Sequence, residues 1–380
     1  MKRTLALILC LVMLFSLVAC SSTEKATETK TEETTASAPA TEEKKDETPA
    51  AAETADGEKP LSVCLIVSLL GDQAFADAAY SGLQQAEADF GDKITTKVSQ
   101  CEDTALYEQQ LLTACEEGYD LIICGASQWG EYMKTHCTEY PDIMFGITDT
   151  VVEGPNVCSV TFAQNQGSFL AGAAAAKFTE MTEFPGNNAD TIIGWVGGNE
   201  IPALKDFFLG YEAGAKYVNP DITILQSYAG SFQDPLKGKE LTLAMYDQGA
   251  DIVMNVASNT GNGVLEAAKE AGHYAIGVDL NQDNNQPGAI LTSMLKKNGN
   301  GVYYLIKNAL EGTFEGNSKI YMDLAYGGVD LTDMSVFKSF CDEEQTELVD
   351  SILDYVAELK EKIISGEIVV PNYEGYGPNA

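Results

Sequence analysis

Two stretches of this chain, YEQQLLTACEEGYDLIICGASQWG (107–130) and GKELTLAMYDQGADIVMNVASNTG (238–261), carry the same pattern twice. At a constant offset of 131 residues they share Leu112/Leu243, Gly118/Gly249, Asp120/Asp251, Ala126/Ala257, Ser127/Ser258 and Gly130/Gly261. Each begins as a helix, passes a glycine and runs into a short apolar strand, YDLIICG (119–125) or ADIVMNVA (250–257). Asp149 and Asp279 correspond at an offset of 130 and each ends a strand, while Gly82 and Gly210 correspond at 128. A nearly constant offset over this length predicts two lobes of like fold.

The neighbouring sequence extends the series. LSVCLIV (61–67), KITTKVSQ (93–100) and IMFGITD (143–149) are β-rich runs separated by helical stretches. The same order restarts at TIIGWVGG (191–198) and continues through DITILQSYAG (221–230), a helix from Gly263 and YAIGVD (274–279). Strands alternating with helices are the pattern of βαβ units and parallel sheets. Ligands of such sheets lie beyond the carboxyl ends of the strands, at topological switch points. Two facing lobes would therefore set Asp149 and Asp279 on opposite walls of one cleft. The loops around Asp72–Phe75 and Asn199–Phe207 would close the same space, where small-ligand sites concentrate.

Before the repeats lies a different kind of sequence. Lys2 and Arg3 precede an apolar run from Leu5 to Val18, ending Leu17-Val18-Ala19-Cys20. A charged start, a short apolar run and a small residue before the break read as a secretory signal, too short to span a bilayer comfortably. The ending resembles a bacterial lipobox, which implies a signal over 1–19 and a diacylglyceryl group on Cys20. Two acyl chains anchor stably, so the expected location is the extracytoplasmic face of the cell membrane. Residues 20–59 are Thr, Glu, Lys, Ala and Pro with few large apolar side chains, the composition of a disordered linker.

The whole chain of 380 residues carries 57 acids against 23 bases, a net charge of −34. After subtraction of signal and linker, 46 acids and 16 bases remain, so the acidity belongs to the folded part. That balance disfavours nucleic acid, whose phosphates need a clustered basic face. Seven cysteines follow Cys20, an odd number with no Cys-x-x-Cys spacing. Cys64 and Cys124 lie within apolar runs and are expected as core residues, and one disulfide remains possible in an exported protein. With only His136 and His273 present, histidine-based metal or triad chemistry has little to draw on. No G-x-G-x-x-G, G-x-x-x-x-G-K-[ST] or G-x-S-x-G motif occurs. Asp149 and Asp279 could form a hydrolytic carboxylate pair, but comparable carboxylates hold sugars and nucleosides without catalysis. No cofactor and no enzymatic activity are expected.

TFAQNQGSFLAGAAAA (161–176), VGGNEIPALKDFFLGYEAGAK (196–216), GSFQDPLKGKELTLAMYDQGAD (230–251), TGNGVLEAAKEAG (260–272), IGVD (276–279) and LTSMLKK (291–297) together resemble the basic membrane protein lipoprotein family. These are purine-nucleoside receptors of ABC importers, and the resemblance runs from about Leu61 to Gly366. It implies a class I periplasmic-binding-protein fold, α/β, with two doubly wound lobes joined by a three-segment hinge. Residues 60–162 plus 290–320 would form the first lobe, and 163–289 plus 321–380 the second. The resemblance further implies a nucleoside ligand, an ABC permease partner and a monomeric receptor.

Carried over position by position, the family's site falls on Asp72 and the base-stacking Phe75 in the first loop. A second stacking ring falls on Phe207, and a base-binding carboxylate on Asp149. Asp279 and Lys296 match the groups that hold ribose hydroxyls, with Lys297 the alternative for the latter. Ser127, Asn259 and Gly261, at the ends of equivalent strands, are further candidate donors, with turn or cap roles equally open. Flat purine faces suit two rings, and carboxylates with an ammonium suit base N–H groups and a diol. The first loop departs from the family's D-x-S-F-N, reading Asp72-Gln73-Ala74-Phe75-Ala76, and Asn281 stands where an acid is frequent. Loss of those polar groups is expected to strip contacts from one wall, which keeps a flavin or another flat heterocycle open as the ligand. A ligand sensor for a signalling partner and a nucleoside-cleaving enzyme are the alternative functions.

Overall fold

The computed structural model describes residues 59–378. The expected signal, lipidated Cys20 and nearly all of the linker lie outside the described residues. The first lobe opens with β1 (Leu61–Val67), α1 (Phe75–Phe90), β2 (Ile94–Gln100), α2 (Tyr107–Glu117) and β3 (Leu121–Cys124). It continues with α3 (Gly130–His136), β4 (Met144–Thr148) and β5 (Val157–Phe162). The chain then builds the second lobe from α4 (Gln164–Thr179), β6 (Ile192–Gly197), α5 (Pro202–Val218), β7 (Thr223–Tyr228) and α6 (Pro235–Tyr246). β8 (Ala250–Val256), α7 (Asn259–Ala271), β9 (Tyr274–Asp279) and β10 (Ile290–Lys296) follow. It returns for α8 (Asn298–Leu310) and β11 (Ser318–Met322), and crosses again to β12 (Val329–Leu331), α9 (Ser335–Lys338) and α10 (Glu343–Ile364).

The strand orders are β2-β1-β3-β4-β5-β11 in the first sheet and β7-β6-β8-β9-β10-β12 in the second. All neighbours are parallel except β10 and β12. The two sheets are thus the same sheet built twice, and the chain crosses between them at Ala163, Lys297 and Asp323. The crossings are tied to one another: Ala163 N donates to the Met322 carbonyl at 3.0 Å and Lys297 N to that of Gly328 at 2.9 Å. This is the expected pair of doubly wound lobes on a three-segment hinge.

One expected boundary moves. The expected first-lobe segment 290–320 begins too early, because β10 hydrogen-bonds along β9 and belongs to the second sheet. β11 extends to Met322 on the first sheet, two residues past the expected limit. Helix α7 also begins at Asn259, four residues earlier than the sequence suggests.

Strand side chains alternate between two apolar layers, which is why these runs read as continuously hydrophobic. Val63, Leu65 and Val67 of β1 face the central core, whereas Cys64 and Ile66 face the layer beneath α2 and α3. Cys64 and Cys124 are fully buried, and all seven described cysteines are free, so no disulfide forms among them.

The repeated residues now have physical reasons. Gly118 and Gly249 take φ of +76° and +93° at the turn between helix and strand, where a Cβ is disfavoured. Gly82 of α1 lies against Gly299 of α8, and Gly210 of α5 against Asn165 of α4; a Cβ at either would fall 2.0 or 2.1 Å from a backbone carbonyl oxygen. The same helix contact is therefore made in each lobe. Asp120 and Asp251 tie strand beginnings, Asp120 accepting from Ser62 N and Oγ, Asp251 from Asn188 N and Thr179 Oγ1. Asp149 and Asp279 sit at the opposite strand ends, and both adopt left-handed backbone, φ +69° and +65°.

Candidate functional site

The strand ends of both lobes surround a cavity of about 350 Å³, near the lower limit for small-molecule sites. Asp72, Phe75, Ser127, Asp149, Phe207, Asp279 and Lys296 all line it. Seven of the nine candidate residues, taken from elements far apart in sequence, are thus brought together.

Lys296 sits at the centre. It ends β10, is 1% exposed, and its Nζ lies 2.5 Å from Asp149 Oδ1. Three rings surround the ammonium, with Nζ at 5.0 Å from the centres of Phe75 and Phe207 and 5.6 Å from that of Phe162. Cation–π attraction and a short ion pair offset the desolvation of this charge. Phe75 belongs to the first lobe and Phe207 to the second, so the two rings converge on one ammonium from opposite sides of the cleft. Lys297 is turned away and does not line the cavity.

The carboxylates differ in what they have left to offer. Asp149 is engaged by Lys296. Asp72 is engaged by the protein: its oxygens accept from the backbone N–H groups of Ala74, Ala76 and Asp77 at 2.9, 3.0 and 3.2 Å. These are donors that the first turn of α1 would otherwise leave unpaired. The Ser258 hydroxyl adds a fourth bond at 2.7 Å. Asp279 has no side-chain hydrogen bond within the described chain. Burial pushes its carboxyl up to about 8; Lys296 opposes that rise, and the charges of Asp72 and Asp149 add to it. Of the buried aspartates lining the cavity it is the one most free to meet a ligand.

Two candidates stand outside the cavity. Asn259 donates through Nδ2 to Gln233 Oε1 at 3.2 Å, at the start of α7. Gly261 exists for packing: a Cβ there would lie 2.0 Å from Asn255 Oδ1. The first loop's divergent positions are Ala74 and Ala76. Both are buried on the inner side of the loop and neither lines the cavity.

Several lining residues escaped the sequence. Ser258 is the repeat counterpart of Ser127, so the offset of 131 already pointed to it. Tyr107 stacks on the buried Trp129, ring centres 4.2 Å apart, and together with Phe232 extends the aromatic lining. Gln128 and Gln233 add amide groups, beside that of Asn199 in the loop already expected to close the cleft. Behind the wall, Asp206 holds Gln164 Nε2 and the backbone N–H of Tyr373, each at 2.7 Å; burial pushes its carboxyl up to about 6. These bonds dock the C-terminal segment beside Phe207. Among the described residues no cluster of His, Cys, Asp and Glu could hold a metal ion, and no helix is long and apolar enough to cross a membrane.

Two parallel-sheet lobes, a three-segment hinge and a cavity between strand ends define the class I periplasmic-binding-protein fold. The chain belongs to the family of PnrA-like ABC transporter substrate-binding proteins, whose pattern matches residues 59–374. Basic membrane protein A2 of Borrelia garinii subsp. bavariensis is 34% identical over 313 residues, 80% of this chain and 86% of that protein. The ABC transporter nucleoside-binding protein BmpA of Lactococcus lactis subsp. cremoris is 31% identical over 323 residues, 80% of this chain and 86% of that one. Among solved structures, an ABC transporter solute-binding protein from Aeropyrum pernix K1 has a TM-score of 0.73 at 29% identity, covering 83% of this chain and 95% of that one. The chain therefore binds a solute for an ABC transporter and is not an enzyme.

Proposed function

We propose that this protein is a lipid-anchored receptor that captures a purine nucleoside in the interlobe cavity and delivers it to a membrane permease. The observation that carries this is the convergence of Phe75 and Phe207 from opposite lobes on Lys296, with the unpartnered Asp279 in the same cavity. Two rings can take a flat base between them, at about 1–3 kcal/mol per stacked base. Lys296 retains N–H donors beyond the one given to Asp149, and the Asp279 carboxyl accepts from a hydroxyl, or donates when protonated. A ribose diol matches that pair. The cavity volume fits a ligand of nucleoside size, and the Lactococcus lactis relative is itself a nucleoside-binding protein.

Lipid attachment at Cys20 would hold the receptor at the outer face of the membrane. A Cys20→Ala chain should leave the membrane fraction after a high-salt wash, and its retention would count against the anchor. Isothermal titration with guanosine, inosine, adenosine, uridine and riboflavin tests the ligand. Micromolar or tighter binding of a purine nucleoside is expected, and no binding of any nucleoside below millimolar concentration would refute the proposal. Nucleoside monophosphates should bind more weakly, because the carboxylates of Asp72, Glu102 and Asp149 outnumber the one ammonium lining the cavity.

A further inference from the structure

The loop that opens the first lobe is gripped by the second. Ser258 Oγ donates to Asp72 Oδ2 at 2.7 Å, Gln282 Nε2 donates to the Gln73 carbonyl at 2.9 Å, and Asn262 Nδ2 approaches the Asp72 carbonyl at 3.4 Å. Every donor lies in the second lobe and every acceptor in the first. Gln282 is itself fixed: its Oε1 accepts from Asn255 Nδ2 and Val278 N at 3.0 and 2.9 Å, and its own N–H donates to Ser293 Oγ at 3.0 Å. It is 1% exposed and does not line the cavity, nor does Asn262.

The backbone on both sides of this contact is strained. Gln73 has φ +54° and Ser258 has φ +52° with ψ −131°, a conformation that side chains disfavour and that persists only where the surroundings over-determine it. Asp77 helps to hold the first-lobe side, accepting from Gly71 N and Gln73 N at 2.8 Å each.

We propose that Asp72, Gln73, Ser258, Asn262 and Gln282 form an interlobe latch that favours the closed cleft before any ligand enters. In this latch Asp72 is the shared acceptor, a positioning residue and not a ligand-holding carboxylate. The proposal rests on the cavity being the ligand site, but not on which ligand fills it. Apparent affinity then equals the intrinsic affinity scaled by the closed fraction, so it can be changed from Gln282, which does not line the cavity.

The test is Gln282→Glu in the full chain. It keeps an oxygen for Asn255 and Val278 but sets a carboxylate oxygen against the Gln73 carbonyl. Small-angle X-ray scattering without ligand should show a larger radius of gyration than wild type, with thermal unfolding recorded in parallel to show that the variant folds. Should it fail to fold, Ser258→Ala, which removes one hydroxyl, takes its place in the same measurement. Inosine is then titrated, and a five- to tenfold weaker apparent Kd is expected for Gln282→Glu, as for loss of about one hydrogen bond. A folded variant that scatters like wild type overturns the latch. Expansion of the variant, where the wild type binds no nucleoside of the panel, supports the latch and refutes nucleoside capture.

Discussion

Replacing Lys296 by methionine tests the centre of the site most directly. Its ammonium is 1% exposed and lies 2.5 Å from Asp149, whose carboxylate has no other side-chain partner. Methionine keeps much of the length of the side chain but leaves a buried carboxylate unpaired. Breaking a buried ion pair by removing one partner costs about 3–5 kcal/mol. Loss of cation–π contact with Phe75, Phe162 and Phe207 adds about 0.5–2 kcal/mol per ring at most. Sulfur–aromatic contacts return roughly 0.3–1.5 kcal/mol for each ring and so offset most of that loss. The net expectation is about 3–5 kcal/mol, a large share of the total stability of a typical domain. Replacing both partners should restore most of it, because a buried pair exchanged for neutral groups is often nearly neutral. The double variant Lys296→Met/Asp149→Asn should therefore be more stable than Lys296→Met alone. Urea unfolding of wild type, both single variants and the double variant at pH 7 closes the cycle. A single variant costing less than about 1 kcal/mol, or a double variant no better than the single, would refute this account.

Other consequences follow from the same geometry. Asp279, with its carboxyl pushed by burial up to about 8, far above the usual carboxylate range, keeps its proton in the folded state through a pH range where the unfolded chain has lost it. Folded protein then binds more protons than unfolded, so this residue's contribution to stability is full below about pH 4 and is lost as pH rises toward 8; Asp279→Asn should flatten that slope in unfolding midpoints measured across pH 4–9. Gly82→Ala would set a methyl 2.0 Å from the Gly299 carbonyl oxygen, and forced overpacking should lower stability by about 1–3 kcal/mol, read as a lower melting temperature. Phe75→Ala should weaken inosine binding by about 1–3 kcal/mol with an unchanged circular dichroism spectrum, since Phe75 is only partly buried. For the buried Phe207, leucine is the gentler change, and titration should again show weaker binding.

The parallel sheets were legible because their strands are buried on both faces and their helices end at turn glycines such as Gly118 and Gly249. The repeat was legible for the same reason, since a Cβ at Gly82 or Gly210 would strike a backbone carbonyl in either lobe. The placement of β10 was not. Ile290–Lys296 is apolar enough for either sheet, and only its pairing with β9 decides. Asn259 and Gly261 follow equivalent strand ends, but α7 has already begun there, so their positions serve the helix. Asp72 shows the sharper limit. An acid in a cleft loop has the same sequence signature whether it meets a ligand or the backbone N–H groups beneath it. Which it meets depends on donors from Ala74 to Ser258, nearly half the chain apart.

The order of the strands bears on how the molecule is made. β11, the outer strand beside β5, and α8, the helix against Gly82, are both drawn from beyond residue 297, after the whole second sheet except β12 has been laid down. A chain released after β5 would therefore hold five of six strands, with an open edge and an uncovered glycine face on α1. The lobe that is synthesised first cannot be completed first. Contacts so distant in sequence make for slow folding, and the two halves must reach their final form together, so neither can be cut out as a contiguous fragment.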